Sequence, residues 1–105
     1  MNHSHTEFLV TLNVPTSLEE AMVDSLLMLE STHGFSSFRV SAHHHDNTRQ
    51  PLSLAEQVMG RQKKIRFQMY VDKAGLSKLL VQLKQEFAGA GIHYWVIPVL
   101  EKGII

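Results

Sequence analysis

The chain has no cysteine among its 105 residues, which excludes disulfides, thiolate metal sites and thiol catalysis. It also lacks the run of roughly 18 apolar residues that a membrane-spanning helix needs. Neither charge predominates, because ten acidic residues balance ten basic ones, so no global field draws the protein to nucleic acid or to a membrane surface. We therefore expect a single cytoplasmic domain, residues 1–105, without nucleic-acid binding or membrane insertion.

Recognised catalytic motifs are missing as well. The sequence contains no G-x-S-x-G, no H-E-x-x-H and no P-loop. Seven histidines and ten carboxylates allow many acid–base pairs, but none of them stands in a catalytic pattern. We expect a protein that is not an enzyme; the alternative, a small acyl or phosphoryl transferase, would be revealed by turnover with purified protein.

What the sequence does contain is a regular alternation of strand and helix patterns. Three segments, 8–14, 37–42 and 64–71, alternate with the period of two that is typical of β-strands, and a fourth, 92–99, is apolar on both faces. Helical periodicity connects the first strand to the second and the third to the fourth. The order βαββαβ predicts an α+β, ferredoxin-like fold, with a four-stranded antiparallel sheet in the order 4-1-3-2 and both helices on one face.

The helix boundaries follow from capping residues. Ser17 and Glu20 have capping-box spacing, and Gly34 is the expected stop of the first helix. Asp72 can cap the second helix, which we expect to close at Gly89 and Gly91.

One face of the predicted sheet has no helix to cover it. Apolar residues nevertheless lie on that face: Leu9, Tyr70, Trp95, Ile97 and Val99. A mixed solvent face is one interpretation, since monomers tolerate scattered apolar residues. Self-association through the sheet, as a homotrimer with the sheets facing inward, is the interpretation that we favour.

A polar stretch, 43–66, leads from the second strand into the start of the third, and it opens with three histidines. If the strand continues through them, His43 and His45 project to the same face and can chelate one divalent transition metal (Cu, Ni or Zn), with Asp46 or Glu56 adding an oxygen. His93 lies at the same pole but three strands away, so it could join only from a neighbouring subunit. The alternative is a histidine run that merely solvates a loop.

A second metal hypothesis concerns the start of the chain. Met1, Asn2 and His3 place an imidazole third from a free amine, a spacing that suits square-planar Cu(II) or Ni(II).

The segments 35–41 (FSSFRVS), 52–61 (LSLAEQVMGR) and 91–101 (GIHYWVIPVLE) resemble a PII-like family of unknown function, often encoded beside heavy-metal efflux systems. The resemblance covers nearly the whole chain. It implies a homotrimer akin to nitrogen-regulatory PII proteins and divalent-cation tolerance proteins, in which 42–60 takes the place of the PII T-loop. It also implies a regulatory or ligand-sensing role, with an efflux-system protein or another regulatory target as the partner of this loop.

An anion or ligand site is the remaining hypothesis. Four cations lie between Arg61 and Arg66, and they are either a solvated strand edge or an anion subsite. The turn before the last strand has two glycines, which can bring backbone amides near a phosphate, but it lacks the lysine of true PII proteins. The residues proposed for this site are Ser41, Glu56, Gln57, Arg61, Lys63, Gly89 and Gly91.

The sequence therefore leaves two alternative functions, of which we favour the first. The first is a regulatory trimer whose loop responds to a ligand. The second is a metal-binding or metal-buffering protein that uses the loop histidines directly.

Overall fold

The computed structural model describes residues 7–29, 34–43 and 62–105. Within these ranges the chain forms four strands, one 3₁₀ turn and two α-helices. Their bounds are β1 Glu7–Pro15, the 3₁₀ turn Thr16–Leu18, α1 Glu19–Leu27, β2 Ser36–Ala42, β3 Gln62–Asp72, α2 Lys73–Phe87 and β4 His93–Pro98.

The four strands form one antiparallel sheet in the order β2-β3-β1-β4. This is the predicted order read from the other edge, so the ferredoxin-like topology is confirmed. Each helix connects two strands that are not adjacent in the sheet, because one other strand lies between them. This is the usual result of interleaved βαβ units. Neither α1 nor α2 is long and apolar enough to cross a membrane.

One face of the sheet, here called the inner face, carries the core. Met22 and Leu26 of α1 and Leu79 and Leu83 of α2 pack against it, so both helices lie on this side. The strands contribute alternate residues, as a period of two requires. These inner-face residues are Val10, Leu12, Val14, Ile65, Phe67, Met69 and Val71.

A polar contact joins the two helices above this core. The Ser25 hydroxyl of α1 donates to Glu86 Oε1 at 3.1 Å and accepts from Gln82 Nε2 at 3.1 Å. Ser25 is buried, and burying a hydroxyl is costly unless it is hydrogen-bonded. The contact therefore fixes α1 and α2 relative to each other.

The boundaries of α1 differ from the prediction. Ser17 lies inside the 3₁₀ turn and caps nothing, because neither the turn nor α1 has a side-chain cap hydrogen bond. A capping side chain needs the extended backbone of a residue that precedes the helix, and at this point only Pro15 has it. The helix ends at Leu27, well before Gly34, so the predicted capping box and stop are both wrong.

The boundaries of α2 agree with the prediction. Asp72 has extended backbone, and its Oδ1 accepts from the Gly75 amide at 2.7 Å. Beyond Phe87 the chain turns through Gly89 and Gly91, whose φ angles of 78° and 80° lie in the left-handed region that favours glycine.

Candidate functional site

The loop pole is the end of the sheet where β1 and β2 finish and β3 and β4 begin. His43 directly follows β2, and His93 is the first residue of β4, so both belong to this pole as predicted. Gly89 and Gly91 lie there as well, in the turn that leads into β4.

The register keeps the two histidines apart within one chain. His93 pairs with Asn13, Asn13 with Arg66, and Arg66 with Phe38. His43 follows Phe38 by five residues, so it lies about 17 Å along the strands and about 14 Å across them from His93. This separation agrees with the expectation that His93 cannot join the loop histidines of its own chain. That His93 joins them from a neighbouring subunit stays a prediction.

The other proposed metal ligands, His45, Asp46 and His3, lie outside the described residues. Among the residues that are described, no three His, Asp or Glu side chains are grouped closely enough to hold a metal ion. The metal hypotheses therefore stay predictions.

The proposed anion-site residues fall into two groups at the loop pole. Ser41 and Lys63 are direct cross-strand partners, so they lie close together. Gly89 and Gly91 are at the opposite edge of the sheet, next to β4. The three remaining members lie outside the described residues: Glu56, Gln57 and Arg61.

The basic run is not a strand edge. Its described part opens β3, which pairs with β1 on one side and β2 on the other. Lys64 is only 4% exposed, and Gln62 is buried with an Oε1 that accepts no hydrogen bond within the described part of the chain. The interpretation as a solvated edge is thus wrong, because the strand lies in the interior of the sheet.

A cavity of about 210 Å³ lies between the end of α2 and the start of β4. The glycine turn forms one wall, and side chains from β1, α2 and β4 form the rest. Among the described residues that line it, Lys84 contributes the one charged side chain. The apolar lining residues include Leu12, Leu80, Leu83, Phe87 and Ile92. This arrangement can hold a small group with an apolar body and a negative charge.

Sequence reasoning missed Lys84 and Tyr94 as residues of this cavity. We predicted a glycine turn without a neighbouring cation, yet Lys84 lines the same cavity as Gly89 and Gly91. The signal was present in the helical spacing, because residues 80, 83, 84 and 87 lie close together at the end of α2.

The face opposite the helices, here called the outer face, has polar ends and an apolar centre. Trp95 pairs with Thr11, and Leu9 pairs with both Ile97 and Tyr70, which confirms that these residues share one face. The larger side chains of the centre are 42–49% exposed in a single chain.

Strand β2 adds to this apolar surface. By its register, Phe38 and Val40 lie on the outer face beside Arg66 and Lys64, whereas the exposed Arg39 is on the helix side. The edge strand therefore has its apolar side turned away from the helices, opposite to β1 and β3.

At the loop pole of the outer face, the Arg66 side chain is held by two neighbours. Its Nε donates to Asn13 Oδ1 at 2.8 Å, and its guanidinium carbon lies 5.2 Å from the centre of the Trp95 ring. At the far end, Lys102 Nζ is 2.7 Å from Glu7 Oε2 and 4.9 Å from the Tyr70 ring.

Solved structures with the same architecture define the class of fold. The PII-like protein CPII from Thiomonas intermedia, bound to ADP, AMP and bicarbonate, aligns with a TM-score of 0.64 and 14% identity over 96% of this chain and 98% of its own. The periplasmic divalent cation tolerance protein CutA from Archaeoglobus fulgidus aligns with a TM-score of 0.64 and 13% identity over 93% and 87%. The chain therefore has a PII-like fold, which it shares with regulatory and cation-tolerance proteins.

The family is more specific. Residues 4–105 match the family described as a protein of unknown function, DUF3240, and the chain belongs to it. A DUF3240 protein from Shewanella baltica aligns with a TM-score of 0.78 and 22% identity over 97% of this chain and 99% of its own. No curated protein matches the chain.

Proposed function

We propose that this chain is a small regulatory protein that senses a ligand and works as a homotrimer. The observation that carries the proposal is the outer face, whose apolar centre continues onto the edge strand β2. An edge strand that served only one chain would turn its apolar residues toward the helices. Here Phe38 and Val40 face the other way, which supports a second copy of the chain as the cover.

Closed rotational symmetry supports the trimer over open assembly. Three copies whose outer faces point toward a common axis would bury Trp95, Ile97 and Tyr70 together with Phe38. Cyclic symmetry uses the same surface in every copy and leaves no further apolar face to recruit more chains. It also keeps the three loop poles on one side of the trimer, where they can act together on one partner.

The cavity beside the glycine turn is the proposed sensing site. Its volume of about 210 Å³ is below the range of roughly 300–1,000 Å³ for complete ligand pockets, so a ligand would extend out of it toward the loop pole. Lys84 would attract an anionic group, and the turn would offer backbone amides. ADP, AMP and bicarbonate, the ligands named for the Thiomonas protein, are the first candidates to test.

The output of the sensor would be the segment 42–60. We propose that it contacts a regulatory target, such as a component of a heavy-metal efflux system, in the cytoplasm and without catalysis by the chain itself. Ligand binding can shift the preference for the target only if the ligand binds the two states of the protein with different affinity.

The trimer is tested by light scattering on wild type and two variants. Wild type should have about three times the chain mass of 11.9 kDa. Trp95→Glu places a charge in the apolar centre of the outer face and should lower the mass to that of one chain. Val81→Glu is the matched control, because Val81 is an exposed apolar residue on α2, and its mass should equal that of wild type. A wild-type mass near that of one chain at micromolar concentration would refute the trimer.

The sensing site is tested by calorimetry with ATP, ADP, AMP and bicarbonate on wild type and Lys84→Ala. We expect at least one of the four to bind and the variant to bind it about tenfold or more weakly, since a hydrogen bond to a charged group is lost. The control is Lys78→Ala, which removes an exposed lysine of α2 that does not line the cavity. Equal affinity in wild type and Lys84→Ala would exclude the cavity as the site.

Direct metal binding or buffering by the loop histidines is the second candidate function. Its structural support is the position of His43, which is exposed at the end of β2. Calorimetry with Cu(II), Ni(II) and Zn(II) at pH 7.5 and 5.5 should show binding that weakens at the lower pH, because imidazole coordinates only when neutral. Unchanged affinity in His43→Ala/His45→Ala would exclude this pair and direct attention to His3.

A further inference from the structure

The outer face has an unusual row of side chains at the loop pole. His93, Asn13 and Arg66 are successive cross-strand partners on β4, β1 and β3. Directly opposite side chains have Cβ atoms about 4.5–5.5 Å apart, so the whole row is about 10 Å wide. We call these three residues the donor row.

Each member of the row presents hydrogen-bond donors. The Asn13 amide accepts from Arg66 with its oxygen, which leaves its NH₂ group as a donor beside His93. Arg66 uses only Nε for Asn13, and a guanidinium has four further N–H groups. Asn13 and Trp95 together hold the guanidinium in one orientation, so little side-chain entropy is lost when it binds a ligand.

No carboxylate of the described chain balances this row. The two carboxylates on the described outer face are at its far end, where Glu7 pairs with Asp72 in the register of β1 and β3. They lie six residues along β1 from Asn13, or about 20 Å. Both are also engaged, because Glu7 forms the ion pair with Lys102 and Asp72 caps α2.

In a trimer whose strands run along the axis, a neighbouring copy brings no carboxylate of its described residues to the row either. Rotational symmetry about one axis keeps the three loop poles at the same level. Arg66 of one copy therefore meets the same end of its neighbours, and the Glu7 end remains about 20 Å away. The trimer would gather three cations without bringing a described carboxylate to them.

We propose that the donor row binds a small free oxyanion, a phosphate or carboxylate group, at the loop-pole rim of the outer face. Arg66 supplies the charge and a planar pair of donors, which match the two oxygens of such a group. Asn13 and His93 bind the remaining oxygens. Because His93 is exposed and is the first residue of β4, the His93 end of the row lies at the rim, and an ion can reach that end from the loop pole when the apolar centre is covered.

This site is separate from the proposed sensing cavity. None of its three residues lines that cavity, which lies on the helix side. It also gives His93 a role other than metal binding. The site requires residues of one chain only, so it does not depend on the trimer.

Trp95 offers a direct measurement, because it is the one tryptophan of the chain and it contacts Arg66. Its fluorescence is followed while inorganic phosphate is added at pH 7.5, with sodium chloride adjusted to keep the ionic strength constant. Wild type should show a saturable change. Arg66→Gln should raise the apparent Kd about tenfold or more. Lys102→Gln, which removes a cation from the other end of the same face, should have the Kd of wild type within about twofold.

His93→Leu is a second variant, chosen because His93 is exposed and its loss should not affect folding. It should weaken phosphate binding about threefold or more, since one donor is removed. Arg66→Gln alters the surroundings of Trp95 and therefore its fluorescence. Calorimetry on the same samples measures the Kd without using this fluorescence. A response that does not saturate, or an equal Kd in wild type, Arg66→Gln and His93→Leu, overturns the proposal. Light scattering on these samples separates the two proposals, because a one-chain mass defeats the trimer while the titration still decides the donor row.

Discussion

The two faces of the sheet differ in how their residues are covered. On the inner face, Phe67 and Leu12 are almost fully buried by helices that belong to the same chain. On the outer face, Phe38 and Trp95 remain 44% and 42% exposed, although residues of this size are normally covered. The inner face thus forms the core of a single chain, whereas the outer face leaves large apolar side chains partly exposed and available for binding.

The comparison also concerns charge. The inner face is closed by apolar contacts, so its stability should depend little on salt. The outer face has a cation held by Asn13 and Trp95 at one end and an ion pair at the other. The effects of substitutions on the free energy of unfolding should therefore differ between the two faces, both in size and in their dependence on protein concentration.

The largest effect is expected on the inner face. Phe67→Ala should lower the free energy of unfolding by about 3–5 kcal/mol, because it leaves a cavity in the core. Denaturant unfolding followed by circular dichroism measures this loss. Phe38→Ala is the matched comparison on the outer face and should cost clearly less at protein concentrations too low for the trimer to form, where Phe38 is partly exposed. If Phe67→Ala were within about 1 kcal/mol of wild type, the assignment of the core would be wrong.

The next effect tests whether assembly buries the outer face. Ile97→Ala should cost about 2 kcal/mol or more at concentrations where the trimer forms, since an isoleucine that becomes buried behaves like a core residue. Its midpoint of unfolding should fall on dilution, because subunit association stabilises the folded state by mass action.

The control for Ile97→Ala is Val81→Ala on the exposed side of α2, with an expected cost within about 0.5 kcal/mol. Equal costs at the two positions, both independent of protein concentration, would show that the outer face is a solvent face.

A smaller effect is expected for the carboxylate that caps α2. Asp72→Ala removes the hydrogen bond to the Gly75 amide and should cost about 1 kcal/mol, with a range of roughly 0.5–2 kcal/mol. Asp24→Ala, an exposed acidic residue within α1, is the control and should change stability by less than about 0.5 kcal/mol. If Asp72→Ala and Asp24→Ala had the same free energy of unfolding, the Asp72 carboxylate would not form a stabilising cap and would not be engaged at the far end of the outer face.

The smallest effect is expected for the ion pair at the far end. Lys102→Gln should cost about 1 kcal/mol or less, because both partners are partly exposed and water screens their attraction. The difference from wild type should shrink further at 1 M salt, which denaturant unfolding at two salt concentrations would measure. A cost above about 2 kcal/mol would show that this contact is buried by assembly.

Local patterns in the sequence determined the elements and their order. The period of two in β1 and β3, the helical spacing in α2, the Asp72 cap and the glycine turn are each encoded within a few residues, so they could be predicted without the fold. The sheet order then followed from the handedness of the crossover connections. The α1 capping box failed because Pro15 and the 3₁₀ turn determine the backbone at Ser17.

Only the tertiary structure decided which residues from distant segments lie together. Alternation placed Leu9, Tyr70 and Trp95 on the uncovered face, but it did not show that β2 turns its apolar side to that face as well. The donor row depends on a register that joins residues 13, 66 and 93, and the Lys84 cavity depends on how the end of α2 packs beside β4. These features could not be predicted because strand register and helix packing are set by contacts between segments far apart in the sequence, and local periodicity carries no information about them.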